Sequence, residues 1–268
     1  MIDRGKRSVL GIGVNVVDYE GAVARIVQCA ETGRPLSVSA LAVHGIMTGV
    51  LDAEHAYRLN KLDLITPDGQ PVRWALQLLH GEKLPSRVYG PTLMLKTCEA
   101  AAAARLPIYL YGSNATTLAA LERNLRAAYP SLNICGRASS RFGQVDEATN
   151  KAIIDAIRSS GARIVFVGLG CPRQEVFAFE NVEALSCPVL AVGAAFDFHA
   201  GTLAQAPSWM QDRGLEWLYR LSREPRRLWR RYLYLNPLYC WNLLMQLLLP
   251  QRFEKVDLAR PQRRKNYA

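Results

Sequence analysis

Two short apolar runs, each ending in a glycine turn, constrain this chain more than any other feature. Ile164-Val165-Phe166-Val167 runs into Gly168-Leu169-Gly170-Cys171-Pro172-Arg173-Gln174-Glu175. Val189-Leu190-Ala191-Val192 runs into Gly193, and on through Phe196, Asp197, His199 and Gly201 to Thr202. Apolar runs without polar alternation are strands buried on both faces, as in a parallel sheet covered by helices. The turns at their carboxyl ends gather along one edge, where open α/β sheets bind ligands.

The rest of the chain fits such a sheet. Strands are expected at Ser8–Asn15, Leu36–Val43, Leu62–Thr66, Ile108–Tyr111 and Leu132–Cys135. Helical patterns lie between them, at Tyr19–Thr32, His44–Leu59, Trp74–His80, Thr92–Arg105, up to Ala128, Glu147–Ser159 and Gln174–Ala184. Strands alternating with helices imply an α/β fold with a Rossmann-like, largely parallel sheet and right-handed crossovers. The 268 residues, 50% hydrophobic and 21% charged, can bury a real core. Cysteines 29, 98, 135, 171, 187 and 240 are scattered with no metal-type spacing, which suggests a reducing, cytoplasmic compartment. The first residues lack the apolar run of a signal peptide.

Charge divides the chain near Pro207. From Ser208 onward there are 13 Lys/Arg and 5 Asp/Glu, a balance of +8; the remaining 20 and 18 leave +2 for residues 1–207. The expected organisation is an α/β catalytic body over 1–207 and a basic, tryptophan-rich helical appendage over 208–268. Helices are expected at Trp209–Ser222 and from Pro225 to Tyr234, then an apolar run Leu238–Leu249 after Asn236-Pro237. That run is shorter than the ~20 residues a spanning helix needs. Tryptophans 209, 217, 229 and 241 stand among arginines 220, 223, 226, 227, 230 and 231. The pattern describes helices lying on an anionic membrane surface, and equally a helical cap with a solvated arginine face. Nucleic acid is the competing anion, but no recognition module is readable.

Several residues are candidates for chemistry. Asp68, between Pro67 and Gly69 after an apolar strand, can accept a proton from an attacking hydroxyl; Pro-Asp-Gly is also a common turn. Gly168 and Gly170 can bring backbone N–H groups to a phosphate, with Gln174 and Glu175 opening the next helix or simply capping it. Arg173 occupies the place of the third glycine of a dinucleotide fingerprint, so an NAD(P) oxidoreductase is poorly supported. Asp197 and His199, after Gly193, can meet ribose, base or sugar hydroxyls, or can lie in a loop held by local hydrogen bonds. The arginines at 220, 223, 227 and 231 recur at helical spacing and can neutralise a diphosphate. No metal or cofactor is called for.

Taken together these segments resemble the bacterial WecG/TagA/CpsF glycosyltransferases. The resemblance is carried by Pro67-Asp68-Gly69, by Arg87 with Gly90, and by Gly168-Leu169-Gly170-x-Pro172-x-Gln174-Glu175. Further matches are Val192-Gly193 through Phe196-Asp197 to Ala200-Gly201-Thr202, Ala206-Pro207, and Gly214-Leu215-Glu216-Trp217-Leu218-Tyr219-Arg220-Leu221 into Glu224-Pro225-Arg226-Arg227. It implies an inverting, metal-independent transfer of a hexose or N-acetylhexosamine from a UDP-sugar to a polyprenyl-diphosphate-linked sugar at the inner face of the cell membrane. By the same resemblance Asp68 is the general base and Arg87 and Gln174 line the pocket. Arg220, Arg227 and Arg230 contact diphosphate from an appendage that also seeks the membrane. A homo-oligomer is compatible with all of this. One departure stands out: Ala40-Leu41-Ala42 replaces a Thr-x-Asn pattern, which opens the donor identity and an alternative reading as an inactive UDP-sugar-binding subunit.

Overall fold

Leu10 and Gly11 both adopt positive φ, 53° and 82°, and turn what reads as one N-terminal strand into a hairpin. Strand β1 (Asp3–Val9) pairs antiparallel with β2 (Ile12–Val17), with Val9 opposite Ile12. A two-residue turn with both φ values positive matches the right-handed twist of its strands. Leu-Gly lacks the usual Asn-Gly signal, so the turn is hidden in the sequence. The fold is seen in a computed structural model that describes residues 1–254, 258–262 and 264–267.

After the hairpin come α1 (Tyr19–Thr32), β3 (Leu36–Leu41), α2 (Val43–Leu51), α3 (Ala53–Lys61), β4 (Leu64–Pro67), α4 (Gln70–His80) and α5 (Gly90–Ala103). The second half runs β5 (Ile108–Gly112), α6 (Ala115–Ala128), β6 (Ile134–Ala138), α7 (Glu147–Ser159), β7 (Ile164–Gly168), α8 (Arg173–Leu185), β8 (Pro188–Ala191) and α9 (Ala195–Ala200). The C-terminal helices are α10 (Ser208–Asp212), α11 (Glu216–Arg223), α12 (Pro225–Leu248) and α13 (Gln251–Glu254). Six strands form one parallel sheet in the order β4-β3-β8-β7-β5-β6. The two apolar runs of the sequence are thus neighbours, Val165 opposite Val189.

Alternation along each strand divides the core into two layers. Val165, Val167 and Val189 pack with residues of α2, α3, α4 and α8, while Ile164, Phe166 and Leu190 pack with α1, α5, α6 and α9. Successive side chains of a strand point to opposite faces, so continuous apolar runs are what a sheet covered on both sides requires. The hairpin lies beside the β4 edge, where the Asn15 side chain accepts the Ile65 N–H at 2.8 Å. That bond satisfies an edge donor without extending the sheet.

Three expected helices differ in extent, each for a local reason. His44–Leu59 is two helices, because Asp52 leaves helical geometry and its carboxylate caps His55 N–H at 3.0 Å. Trp209–Ser222 is broken at Gly214, whose φ is +71° and whose missing Cβ would stand 2.9 Å from the Trp74 ring. Conversely, α12 continues through Pro237. A proline inside a helix deletes one backbone bond, and packing on the body outweighs that loss. Tyr239 is buried and donates to Pro71 O at 3.2 Å, while Gln246 accepts from Leu10 N at 2.8 Å and donates to Ser8 O at 3.2 Å. No helix among the described residues is long and apolar enough to cross a membrane.

Candidate functional site

The strand order places β3 between β4, the next strand in the chain, and β8, which follows β7 on its other side, so the order reverses here. Their carboxyl ends therefore open a crevice of the kind that binds ligands in such sheets. Asp68 follows β4, Ala42 follows β3, and Val192-Gly193 follows β8. Across this edge comes the start of α5. A Cβ on Gly90 would stand 3.1 Å from Ala40 Cβ, 3.3 Å from Asp68 Oδ2 and 3.5 Å from Val192 O. Only a glycine lets the helix start approach the strand ends so closely.

Asp68 is half-buried and accepts the Gly90 N–H at 3.2 Å. Burial pushes its carboxyl up to about 7; Glu216 adds to the rise, while Arg87, the Gly90 N–H and Arg220 oppose it. A carboxyl that exchanges its proton near neutral pH is a competent general base. Arg87 is buried and forms an ion pair with Glu216 at 2.8 Å, and it donates to Gln211 Oε1 at 2.9 Å. Its guanidinium stacks 4.1 Å from the Tyr89 ring centroid. The Tyr89 hydroxyl donates to Glu216 at 3.0 Å, and Tyr89 N–H donates to the Tyr19 hydroxyl at 2.9 Å. Burial raises both phenols, so they stay protonated at neutral pH.

The β7 turn divides its labour. A Cβ on Gly168 would stand 2.6 Å from the Phe196 ring, and one on Gly112 would stand 2.6 Å from the Gly168 carbonyl. Gly168 is thus needed for packing between β5, β7 and α9. Gly170, at φ +75°, has only Arg173 within 4.0 Å of where its side chain would be and borders open space. Gln174 lies under Gly193, its Oε1 3.1 Å from the position a Cβ there would take. Its Nε2 donates to Glu175 at 2.9 Å, which leaves the buried Oε1 without a hydrogen bond. Glu175 is 1% exposed and accepts from Ser39 Oγ at 3.1 Å. Burial raises its carboxyl while the Gln174 and Ser39 bonds oppose the rise. Glu175, a candidate ligand contact in the sequence beside Gln174, is thus buried and bonded to Gln174 and Ser39.

Asp197 lies in the first turn of α9, a short helix and not a loop. Its carboxyl is raised by burial and is steadied by Thr202 and Arg227. Arg220, on α11, stacks 5.9 Å from the Phe198 ring centroid, and its buried Nε makes no hydrogen bond. Its charge is felt by both Asp68 and Asp197. Arg227 pairs with Glu224 at the start of α12 and is exposed. Arg230 is exposed beside Trp229, 5.4 Å from its ring centroid. The Arg231 side chain lies outside the described residues. Among the described residues, no group of three His, Cys, Asp or Glu side chains is arranged to hold a metal ion.

The residues that the sequence did not single out are Glu216, Gln211, Tyr89 and Tyr19. Glu216 carries a faint signal, as one of few acids in a segment of arginines. The two tyrosines carry none, since buried aromatics are ordinary core residues. A family model described as the glycosyl transferase WecG/TagA/CpsF family matches residues 7–253, which spans the sheet, the crevice and the helices above it. The chain belongs to the WecG/TagA/CpsF glycosyltransferase family.

Proposed function

We propose that this glycosyltransferase moves a hexose or N-acetylhexosamine from a UDP-sugar to a polyprenyl-diphosphate-linked sugar, with inversion and without a metal ion, during synthesis of a bacterial surface polysaccharide. The observation that carries the reading is Asp68, half-buried at the strand ends and accepting the Gly90 N–H, where burial pushes its carboxyl up to about 7. In the reaction the acceptor hydroxyl oxygen attacks the anomeric carbon, and the bond from that carbon to the UDP oxygen breaks. Asp68 takes the hydroxyl proton, and UDP leaves with the bonding electron pair. The developing charge on the leaving diphosphate is met by Arg220 and by N–H groups of the Gly170 turn, in the manner of fixed donors aimed at a transition state. Gln174, held by Glu175 with its carbonyl oxygen unpaired, is suited to accept an N–H or O–H from the donor.

Membrane docking through residues 208–268 is part of the same reading. Along α12, Arg226, Arg230, Tyr234, Trp241, Leu244 and Leu248 recur at three-, four- and seven-residue steps on one face, and all six are exposed. The opposite face is anchored on the body by Tyr239 and Gln246. A basic, aromatic and apolar stripe of this kind suits the interface of an anionic leaflet, with the protein peripheral at the cytoplasmic side.

The test is a screen of UDP-hexoses with a short polyprenyl-diphosphate-sugar acceptor, with UDP release measured in the presence and absence of chelator. Wild type should release UDP only with acceptor present and equally with chelator. Asp68→Asn should bind the UDP-sugar and lose turnover by 10²–10⁴-fold. Turnover of Asp68→Asn at the wild-type rate would overturn the assignment. UDP binding without turnover across the whole panel would instead favour an inactive binding subunit.

A further inference from the structure

Asp68 and Glu216 are two carboxylates near one buried guanidinium, and only Glu216 is paired with it. Arg87 directs Nη1 to Glu216 at 2.8 Å and Nη2 to Gln211 at 2.9 Å, and its flat face lies over Tyr89. Glu216 is itself fixed by the Tyr89 hydroxyl at 3.0 Å. Asp68 receives one N–H, from Gly90, and among the described residues no ion pair reaches it. Both ends of the arginine fork are therefore engaged by α10 and α11, helices that lie far along the chain from the strand ends they cover.

We propose that Glu216 is a positioning residue for the transfer reaction: it holds the Arg87 guanidinium away from Asp68 and so keeps the Asp68 carboxyl free to take a proton. The inference rests on Asp68 being the base. An arginine seated on a carboxylate favours the ionised form by 1–3 pH units and occupies the lone pairs that would receive the proton. A base held in that way is weak at neutral pH. Glu216 prevents the seating by satisfying Arg87 itself, and its own negative charge disfavours ionisation of Asp68 in addition.

The remaining groups around Asp68 do not replace this effect. Tyr19 from α1 and Tyr89 ahead of α5 are protonated phenols. Gly90, at the start of α5, offers a single N–H. Arg220 from α11 acts in the opposite sense to Glu216 and pulls Asp68 toward ionisation. If Glu216 merely fastened α11 to the body, its loss would lower stability and rate together and leave the pH dependence in place.

The experiment compares wild type with Glu216→Gln, Glu216→Asp and Tyr89→Phe in the full-length protein. Two quantities are followed with pH: kcat/KM, and the 13C shift of the Asp68 carboxyl carbon, which needs no substrate. In Glu216→Gln both midpoints should move to lower pH by roughly one unit or more, because an opposing charge is lost and a guanidinium is released. Glu216→Asp, which keeps the charge, should stay close to wild type. Tyr89→Phe, which loosens Glu216 without discharging it, should shift less than Glu216→Gln and keeps the test open if that variant fails to fold. A fall in rate with both midpoints unmoved overturns the proposal. Failure of the base assignment is separate: Asp68→Asn would then turn over, while the carboxyl shift would still report whether Glu216 acts on Asp68.

Discussion

Replacing Asp68 with asparagine removes one ionisable group and little else, since the amide keeps the shape and can still accept the Gly90 N–H. In the fold burial pushes this carboxyl up to about 7, against 3.8 for a free side chain. At about 1.4 kcal/mol per unit, ionised Asp68 costs the fold at most about 4 kcal/mol, and solvent screening of its open side brings this to about 2–4 kcal/mol. The sign follows from proton binding. Between pH 3.8 and 7 the folded protein holds a proton that the unfolded chain has released, so stability is lost as pH rises through that window. Asp68→Asn escapes the loss. Its advantage over wild type in urea unfolding should be small near pH 4, grow through pH 5 and 6, and level off above about pH 7.5. The most stable variant at alkaline pH should therefore be one of the least active, as expected where a site stores unfavourable desolvation. A stability difference that stays flat from pH 4 to pH 8 would show an Asp68 solvated like a free side chain. The grounds for calling it a base would then fail.

Two further outcomes test how the C-terminal helices are seated and what they face. Gly214→Ala combines a positive φ with a Cβ 2.9 Å from the Trp74 ring, so it should destabilise by about 1–3 kcal/mol. It should also lower activity by displacing α11; thermal unfolding and UDP release measure the two effects. Arg226→Ala, Arg230→Ala and Trp241→Ala combined should weaken sedimentation with anionic vesicles at least tenfold without changing the melting temperature by more than a few degrees, since all three side chains are exposed. Unchanged partitioning would remove the membrane reading. These substitutions are a cleaner test than truncation after Pro207, which would also strip Leu228, Tyr232 and Tyr239 from the core.

The sheet was legible because buried parallel strands write themselves as unbroken apolar runs, and β7 and β8 do so at their expected places. Helix α7 matches its expected span from Glu147 to Ser159 because Asp146 caps it, accepting Thr149 N–H at 2.7 Å. The site was legible only where one residue type implies one chemistry, as with Asp68 in its turn. Glu216 was invisible in that role because its meaning depends on Arg87, 129 positions earlier in the sequence, and no local pattern records such a pairing. Glu175 illustrates the converse. A glutamate at the start of a helix reads as a surface cap, yet here the adjoining strand β3 buries it and turns it into a support for Gln174. Charge, tryptophans and helical spacing set the basic segment apart as an appendage, and the resemblance brought Arg220 to a diphosphate, but none of these shows that Gln211 of α10 and Glu216 of α11 engage Arg87.

The apolar stretch at the end of β3 gives the donor question a physical form. Ala40 and Ala42 present methyl groups where a Thr-x-Asn pattern would present a hydroxyl and an amide; Ala40 lies against Gly90, and Ala42 against Gly69. A sugar hydroxyl or acetamido group pressed on that wall finds no partner there, and an unpaired buried polar group costs about 1–3 kcal/mol. The wall should therefore favour donors whose polar groups point elsewhere. Ala42 is only partly buried and its neighbour Gly69 leaves room, so Ala42→Asn restores a donor and an acceptor without overpacking. It should change the ratio of kcat/KM between an N-acetylhexosamine and a plain hexose donor by roughly 10–100-fold. A ratio that does not move would mean that the sugar does not lie against β3, and the crevice would then have to be read with the donor turned toward Asp197 and α9.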